Sequence, residues 1–225
     1  MKQSIVISLG GSVVVAEETP PSFFSELTTL IQRFKKMYTM YLVIGGGGPA
    51  RRYIQRGRTL QLTEDQLDEL GIMITRVNAH LLSFILETGQ DTIPESTQEA
   101  LTYDLPIVLM GGTVPGHSTD FVGADLSVKT KAYRYVIATN VDGVYDKDPR
   151  AFTDARFLPS IHINDLLAQY GPQWDIAGSN MVIDGPALQL IKDNNIHTCV
   201  INGNNLKELA HILEKKPFYG TEIKI

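Results

Sequence analysis

Four short runs of this chain are apolar at every position: Ile5-Val6-Ile7, Leu42-Val43-Ile44, Ile107-Val108-Leu109 and Val136-Ile137-Ala138. Unbroken apolarity over so few residues predicts strands covered on both faces. Each run stops abruptly in small or polar residues. The four stops are Leu9-Gly10-Gly11-Ser12, Gly45-Gly46-Gly47-Gly48, Gly111-Gly112-Thr113 and Thr139-Asn140-Val141-Asp142-Gly143. The pattern predicts strands that deliver loops to one edge of a sheet, the edge where open α/β folds bind ligands.

Between the strands the apolar period lengthens to that of a helix. Phe23, Leu27, Leu30, Ile31 and Phe34 predict a helix from Ser22 to about residue 36. Pro49 suits the first turn of another over 50–56. Thr63-Glu64-Asp65-Gln66 has the form of a capping box and opens a long helix over 64–87. Its apolar stripe reads Leu67, Leu70, Ile74, Val77, Leu81 and Ile85, widened by Ile72, Met73, Leu82 and Phe84. A helix apolar on more than one side needs a second cover, and a second subunit is the expected one. Further helices are expected over 96–101, 120–131, 184–194 and 206–213. Further strands are expected over 106–110, 135–138 and 198–201, and an edge strand over 220–223. Residues 145–174, rich in Asp, Pro and Lys, read as an irregular lobe with a short helix over 164–168. Strands alternating with helices imply an α/β fold with a mainly parallel central sheet and helices on both faces.

The 225 residues suit one such domain, with one lobe over about 1–133 and another over about 134–225. A net charge of −5 argues against a nucleic-acid partner, which favours a basic surface. No apolar stretch approaches the roughly 20 residues of a membrane span. A single cysteine, Cys199, cannot form an internal disulfide, so a reducing, cytoplasmic setting is expected.

The loops carry the candidate chemistry. Glycine allows close approach of backbone N–H groups to a ligand, and rows of such groups favour phosphate. Neither a P-loop nor a dinucleotide fingerprint is present: no Gly-Lys-Ser/Thr follows Gly11, and Arg51 stands where a third glycine belongs. Gly45 to Gly48 at a helix start, followed by Arg51, make a second phosphate cradle with a forked guanidinium beside it. The loop from Thr113 to Asp120 combines permissive backbone with small hydroxyls, and Thr119 or Asp120 could equally cap the next helix.

Gly111-Gly112-Thr113-Val114-Pro115-Gly116-His117-Ser118-Thr119-Asp120 and Thr139-Asn140-Val141-Asp142-Gly143-Val144-Tyr145, closed by Asp148-Pro149, are the most specific strings. Through them the chain resembles enzymes of the amino-acid-kinase fold, and most closely uridylate kinases of the archaeal type. The resemblance implies an αβα sandwich that transfers a phosphoryl group from ATP to UMP with Mg²⁺. It implies ATP binding by Gly10, Gly11, Ser12, Gly47, Arg51, Thr139, Asn140, Tyr145 and Asp148. It implies UMP binding by Gly46, Asp68, Thr113, Val114, Pro115, Gly116, His117, Ser118, Thr119 and Asp120. Gly10, Gly11, Arg51 and Asp120 are the expected catalytic set, with Asp120 or Asp142 orienting the metal shell. Hexamers built from dimers are expected, which suits the over-apolar helix.

One position departs from the pattern. Many relatives carry a lysine two residues before the glycine pair, and this chain has Ser8. Two other readings therefore stay open. One is a kinase of the same fold acting on another small phosphate or carboxylate, such as isopentenyl phosphate. The other is a nucleotide- or oxyanion-binding protein without catalysis.

Overall fold

The computed structural model describes residues 2–171 and 182–225. In chain order its elements are β1 (Gln3–Leu9), α1 (Gly11–Val14), α2 (Pro21–Phe34), β2 (Tyr38–Ile44), α3 (Gly47–Thr59) and α4 (Glu64–Ile85). Then come α5 (Thr97–Ala100), β3 (Ile107–Met110), α6 (Thr119–Thr130), β4 (Arg134–Thr139), β5 (Val144–Tyr145), β6 (Phe157–Leu158) and β7 (Ser160–His162). The chain closes with α7 (Ile163–Tyr170), α8 (Gly185–Asp193), β8 (Thr198–Asn202), α9 (Leu206–Leu213) and β9 (Thr221–Lys224).

Seven strands form one sheet in the order β3-β2-β1-β4-β8-β9-β7. Every neighbouring pair is parallel except β8 with β9. The chain winds outward from β1 through β2 to β3, then returns beside β1 as β4 and continues to β8. The reversal of direction between β1 and β4 is the topological switch point where such sheets bind ligands.

Side-chain alternation along β1 divides the core. Ile5, Ile7 and Leu9 pack on one face with Leu27 and Ile31 of α2, Leu82 of α4 and Leu213 of α9. Val6 faces the other way, with Val122 and Leu126 of α6 and Leu188 and Ile191 of α8. Helices therefore cover both faces, as the unbroken apolar runs predict. Ser8 follows Val6 in the alternation and points toward α6, a placement that matters for the site.

Three expectations need correction. The strand at 221–224 is not an edge: it lies between β8 and β7, and Ser160–His162 forms the edge. Three residues are too short to announce themselves as a strand. The irregular lobe is more ordered than its composition suggests. It contains an antiparallel β5–β6 ladder, β7 and α7, while its end at 172–174 lies outside the described residues. The third concerns α4, whose widened apolar set is divided between a buried and an exposed side. Leu67, Ile72, Thr75, Asn78, Ala79, Leu82 and Ser83 are the buried positions, while Met73, Val77, Leu81 and Phe84 stand exposed. Thr75, Asn78 and Ser83 share the buried face with Leu67, Ile72 and Leu82, and a count of apolar positions passes over those three.

Candidate functional site

The carboxyl ends of β1, β2 and β4 meet in one cleft of about 390 Å³. Its floor is made of glycines, and packing explains why. A Cβ on Gly11 would lie 2.2 Å from the Gly47 nitrogen, and one on Gly45 would lie 2.7 Å from the Gly11 nitrogen. Gly47 also has a φ of +62°, in the left-handed region that favours glycine. The loops after β1 and β2 thus touch backbone to backbone, with no room for side chains. Gly10 joins the third loop through its N–H, which donates to the Ala138 carbonyl at 2.9 Å. The helix begins within the glycine run, since α3 starts at Gly47 rather than at Ala50. Positive helix-end charge therefore falls on the floor of the cleft.

Of the residues assigned to ATP, all line this cleft: Gly10, Gly11, Ser12, Gly47, Arg51, Thr139, Asn140, Tyr145 and Asp148. Of those assigned to UMP, Gly46, Thr119 and Asp120 line it. Asp68 and residues 113–118 belong to a separate shelf beside it, where the loop after β3 lies against α4. There the Gly116 N–H donates to Asp68 Oδ2 at 2.8 Å, and the Gly112 N–H donates to Thr75 Oγ1 at 2.7 Å. Arg76 donates from Nε to the Gly112 carbonyl at 3.2 Å and from Nη2 to the Thr113 carbonyl at 3.0 Å. Val114 is exposed, and the exposed His117 ring packs on Phe121 with centroids 4.1 Å apart.

The cap of α6 is Ser118, not Thr119 or Asp120. Its hydroxyl oxygen accepts from the Phe121 N–H at 2.9 Å, and the same hydroxyl donates to Asp184. Asp184 in turn caps α8, accepting from the Ala187 N–H at 3.0 Å. Two helix starts are thereby tied together beside the cleft.

Asp120, in the first turn of α6, accepts a hydrogen bond from the Ser8 hydroxyl at 3.0 Å. Ser8 is buried, and its hydroxyl is the group this strand presents to the carboxylate. A neutral hydroxyl offsets little. Burial, with a smaller push from the charge of Asp184, raises the Asp120 pKa to about 7, against a weaker lowering by the Ser8 hydrogen bond. Asp184 is also raised, first by burial. Asp142, the other candidate for a metal shell, is already engaged: Asn202 Nδ2 donates to it at 2.9 Å and the Tyr145 hydroxyl at 3.4 Å. It ties the loop after β4 to β8.

Among the described residues three cations line the cleft, Arg51, Lys147 and Arg150. Lys147 pairs with Asp154 at 2.6 Å, and Arg150 holds Asp148 through Nε at 3.0 Å and Nη2 at 3.2 Å. Those bonds to Arg150 hold the exposed Asp148 carboxyl below its ordinary value. Among the described residues no carboxylate pairs with Arg51, while its neighbour Arg52 turns to Glu17. Lys147, Arg150, Gln169 and Tyr170 line the cleft without having been singled out as site residues from the sequence. The composition of residues 145–174 was the available signal.

The amino acid kinase family model matches residues 3–202. The uridylate kinase of Methanothermobacter thermautotrophicus is 37% identical, covering 93% of this chain and 95% of its own. That of Thermoplasma volcanium is 36% identical, covering 100% and 99%. A crystal structure of uridylate kinase from Archaeoglobus fulgidus superposes with a TM-score of 0.84 at 34% identity, over 99% of this chain and 100% of that one.

Proposed function

We propose a function for this chain, which belongs to the amino acid kinase family: it is an enzyme that transfers the γ-phosphoryl group of ATP to UMP, giving ADP and UDP. The observation that carries the reading is the meeting of three strand-end loops in one cleft, with a fourth loop shelved on α4 beside it. ATP takes the wall from Thr139 to Asp148 and the cradle at 10–12. UMP takes the shelf at 113–118 with Asp68 beneath it, and its phosphate meets Gly46 on the shared floor.

Phosphoryl transfer asks the protein for in-line alignment and for cancellation of charge on the equatorial oxygens. A UMP phosphate oxygen is a nucleophile at neutral pH, so no general base is needed. Backbone N–H groups at 10–12 and 46–47, with the start of α3 behind them, hold the phosphates. Arg51 supplies the mobile cation that Ser8 does not. Its guanidinium, unclaimed by any carboxylate among the described residues, is free to fork onto two phosphate oxygens.

Among the described residues no group of three or more His, Cys, Asp or Glu is arranged for a metal ion. That donor set suits magnesium carried in on ATP, which keeps several waters and needs only one or two carboxylates. Asp120 is the carboxylate at the floor that would face it, and the bound ion would offset charge on the phosphate oxygens. No helix among the described residues is long and apolar enough to cross a membrane. A cytoplasmic enzyme suits the buried, single thiol of Cys199. A second copy of the chain covers Met73, Val77, Leu81 and Phe84 on α4, giving a dimer as the unit of a hexamer. The sheet reads as one domain in which residues 1–133 serve the acceptor and residues 134–225 serve the donor.

A coupled assay of ADP release with UMP, CMP and isopentenyl phosphate checks the assignment. Turnover with UMP at the highest kcat/KM is expected. Preferred turnover of isopentenyl phosphate would reassign the acceptor, and ATP binding without turnover of any of the three would make the chain a nucleotide sensor.

A further inference from the structure

Most of the groups that shape the acceptor shelf come from one helix. Asp68, Thr75 and Arg76 of α4 together engage the Gly116 N–H, the Gly112 N–H, the Gly112 carbonyl and the Thr113 carbonyl. The backbone of the loop lies directly on the helix, since a Cβ at Gly111 would stand 2.7 Å from the Arg76 nitrogen. Arg76 alone holds two successive carbonyls. It also reaches outward, with Nη1 3.0 Å from Glu95 Oε1. Its side chain is 22% exposed, whereas that of Glu95 is 72% exposed. A guanidinium is suited to this task because its planar fork aims several donors at once, which an ammonium cannot do.

We infer that Arg76 is a positioning residue for the acceptor nucleotide, setting the loop at 112–116 in its binding shape before UMP arrives. The inference rests on the assignment of UMP to that loop. Without Arg76 two carbonyls lose a charged donor, and the loop must be ordered at the cost of binding energy when the acceptor enters. The cost falls on UMP alone. The ATP wall follows β4 and is tied to Thr221 of β9 and Asn202 of β8, with Arg76 in neither bond. Arg76 has no contact with a reacting atom in this role, so the maximal rate at saturating UMP is preserved.

Arg76→Met, Arg76→Lys and Glu95→Gln separate this role from a general structural one. UMP and ATP affinities are measured by calorimetry, and KM and kcat by ADP release. Arg76→Met is expected to weaken UMP binding roughly tenfold or more, the scale of a charged hydrogen bond, with ATP affinity within about twofold of the parent. Arg76→Lys should recover part of the loss. Glu95→Gln, a change at an exposed side chain that leaves the core untouched, should raise the UMP KM by a few-fold in the same direction and keep kcat. Equal loss of UMP and ATP affinity, or unchanged UMP affinity in Arg76→Met, overturns the inference. If Arg76→Met does not fold, UMP affinity in Arg76→Lys equal to the parent's does so, since an ammonium cannot hold both carbonyls in the fork. A parent protein that binds ATP but no UMP fails the functional assignment instead, and that outcome is read before any variant.

Discussion

The wall of the cleft after β4 and the shelf beside the cleft are held in opposite ways. The acceptor shelf is fastened to α4 by side chains at least partly shielded from water, Asp68, Thr75 and Arg76, each bonded to loop backbone. Much of the donor wall beyond Tyr145 is held by its own charged side chains at the surface. Lys147 pairs with Asp154 and Arg150 with Asp148, while Asp146 Oδ1 accepts from the Arg156 N–H at 2.8 Å. Shielded bonds to backbone fix a shape, whereas exposed ion pairs contribute little and exchange readily with solvent or a ligand. Under the proposed assignment, the acceptor side is set in shape beforehand and the donor side yields more readily to its nucleotide. Between them lies a floor that belongs to both.

Breaking that floor should have the largest effect. Gly11→Ala drives a methyl group into the Gly47 backbone, which cannot swing aside as a side chain can. A loss of about 3 kcal/mol or more in urea unfolding is expected, with activity gone on both substrates. Gly10→Ala, whose nearest neighbour is the Ala138 carbonyl at 3.3 Å, should cost distinctly less. Equal losses would mean that the close contact of the two loops is not what demands glycine.

Arg51→Ala comes next. Removing this guanidinium should lower kcat by on the order of 10²-fold, the scale of one preorganised electrostatic group, with the fold intact by circular dichroism. Turnover near the parent value would show that the floor itself, not Arg51, replaces the lysine absent at position 8.

A pH series sharpens the floor further. The Asp120 pKa stands at about 7 in the fold against 3.8 for the ordinary group, so the folded protein holds a proton that the unfolded chain releases. Stability of the ligand-free protein should therefore fall as pH rises from about 4 to 7. The full difference corresponds to about 4 kcal/mol as an upper bound, reduced by the solvent that reaches the cleft. Asp120→Asn should flatten most of that slope in thermal unfolding between pH 5 and 8, although Asp184 retains a part of the same sign. Parallel parent and variant curves would contradict the buried-carboxyl account.

The smallest effect is expected on the donor wall. Asp154→Ala releases Lys147, and stability should move by less than about 1 kcal/mol with at most a few-fold change in the ATP KM. A change in the UMP KM of that variant would remove the contrast between the wall and the shelf.

The strand ends were legible because each buried apolar run stops at glycine or at Thr-Asn, and the long helix because Thr63 and Gln66 cap it reciprocally. What stayed hidden has a common cause. Thr75, Asn78 and Ser83 sit on the buried face of α4, and Asn78 Nδ2 donates to the Gly45 carbonyl at 2.9 Å. A helix that binds loops through polar residues shows only part of its buried face as apolar positions, so the residues that hold the loops carry no such signal. Arg76 is missed for the same reason, because an arginine on a helix reads as a solvent-facing residue. Asp68, Thr75 and Arg76 at near-heptad spacing opposite Gly111-Gly112 are the signal that could have exposed it. The glycines pointed to loops that do meet in one cleft, for an incomplete reason. Phosphate contact was read from them, and their contact with one another is equally demanding.

The most direct measurement follows the transferred group itself. The purified protein is incubated with ATP labelled at the γ-phosphate and with UMP, and the nucleotides are separated. The account expects the label in the β-phosphate of UDP, in equal amount to the ADP formed. Label released only as inorganic phosphate, or retained in ATP while UMP is present, would contradict it.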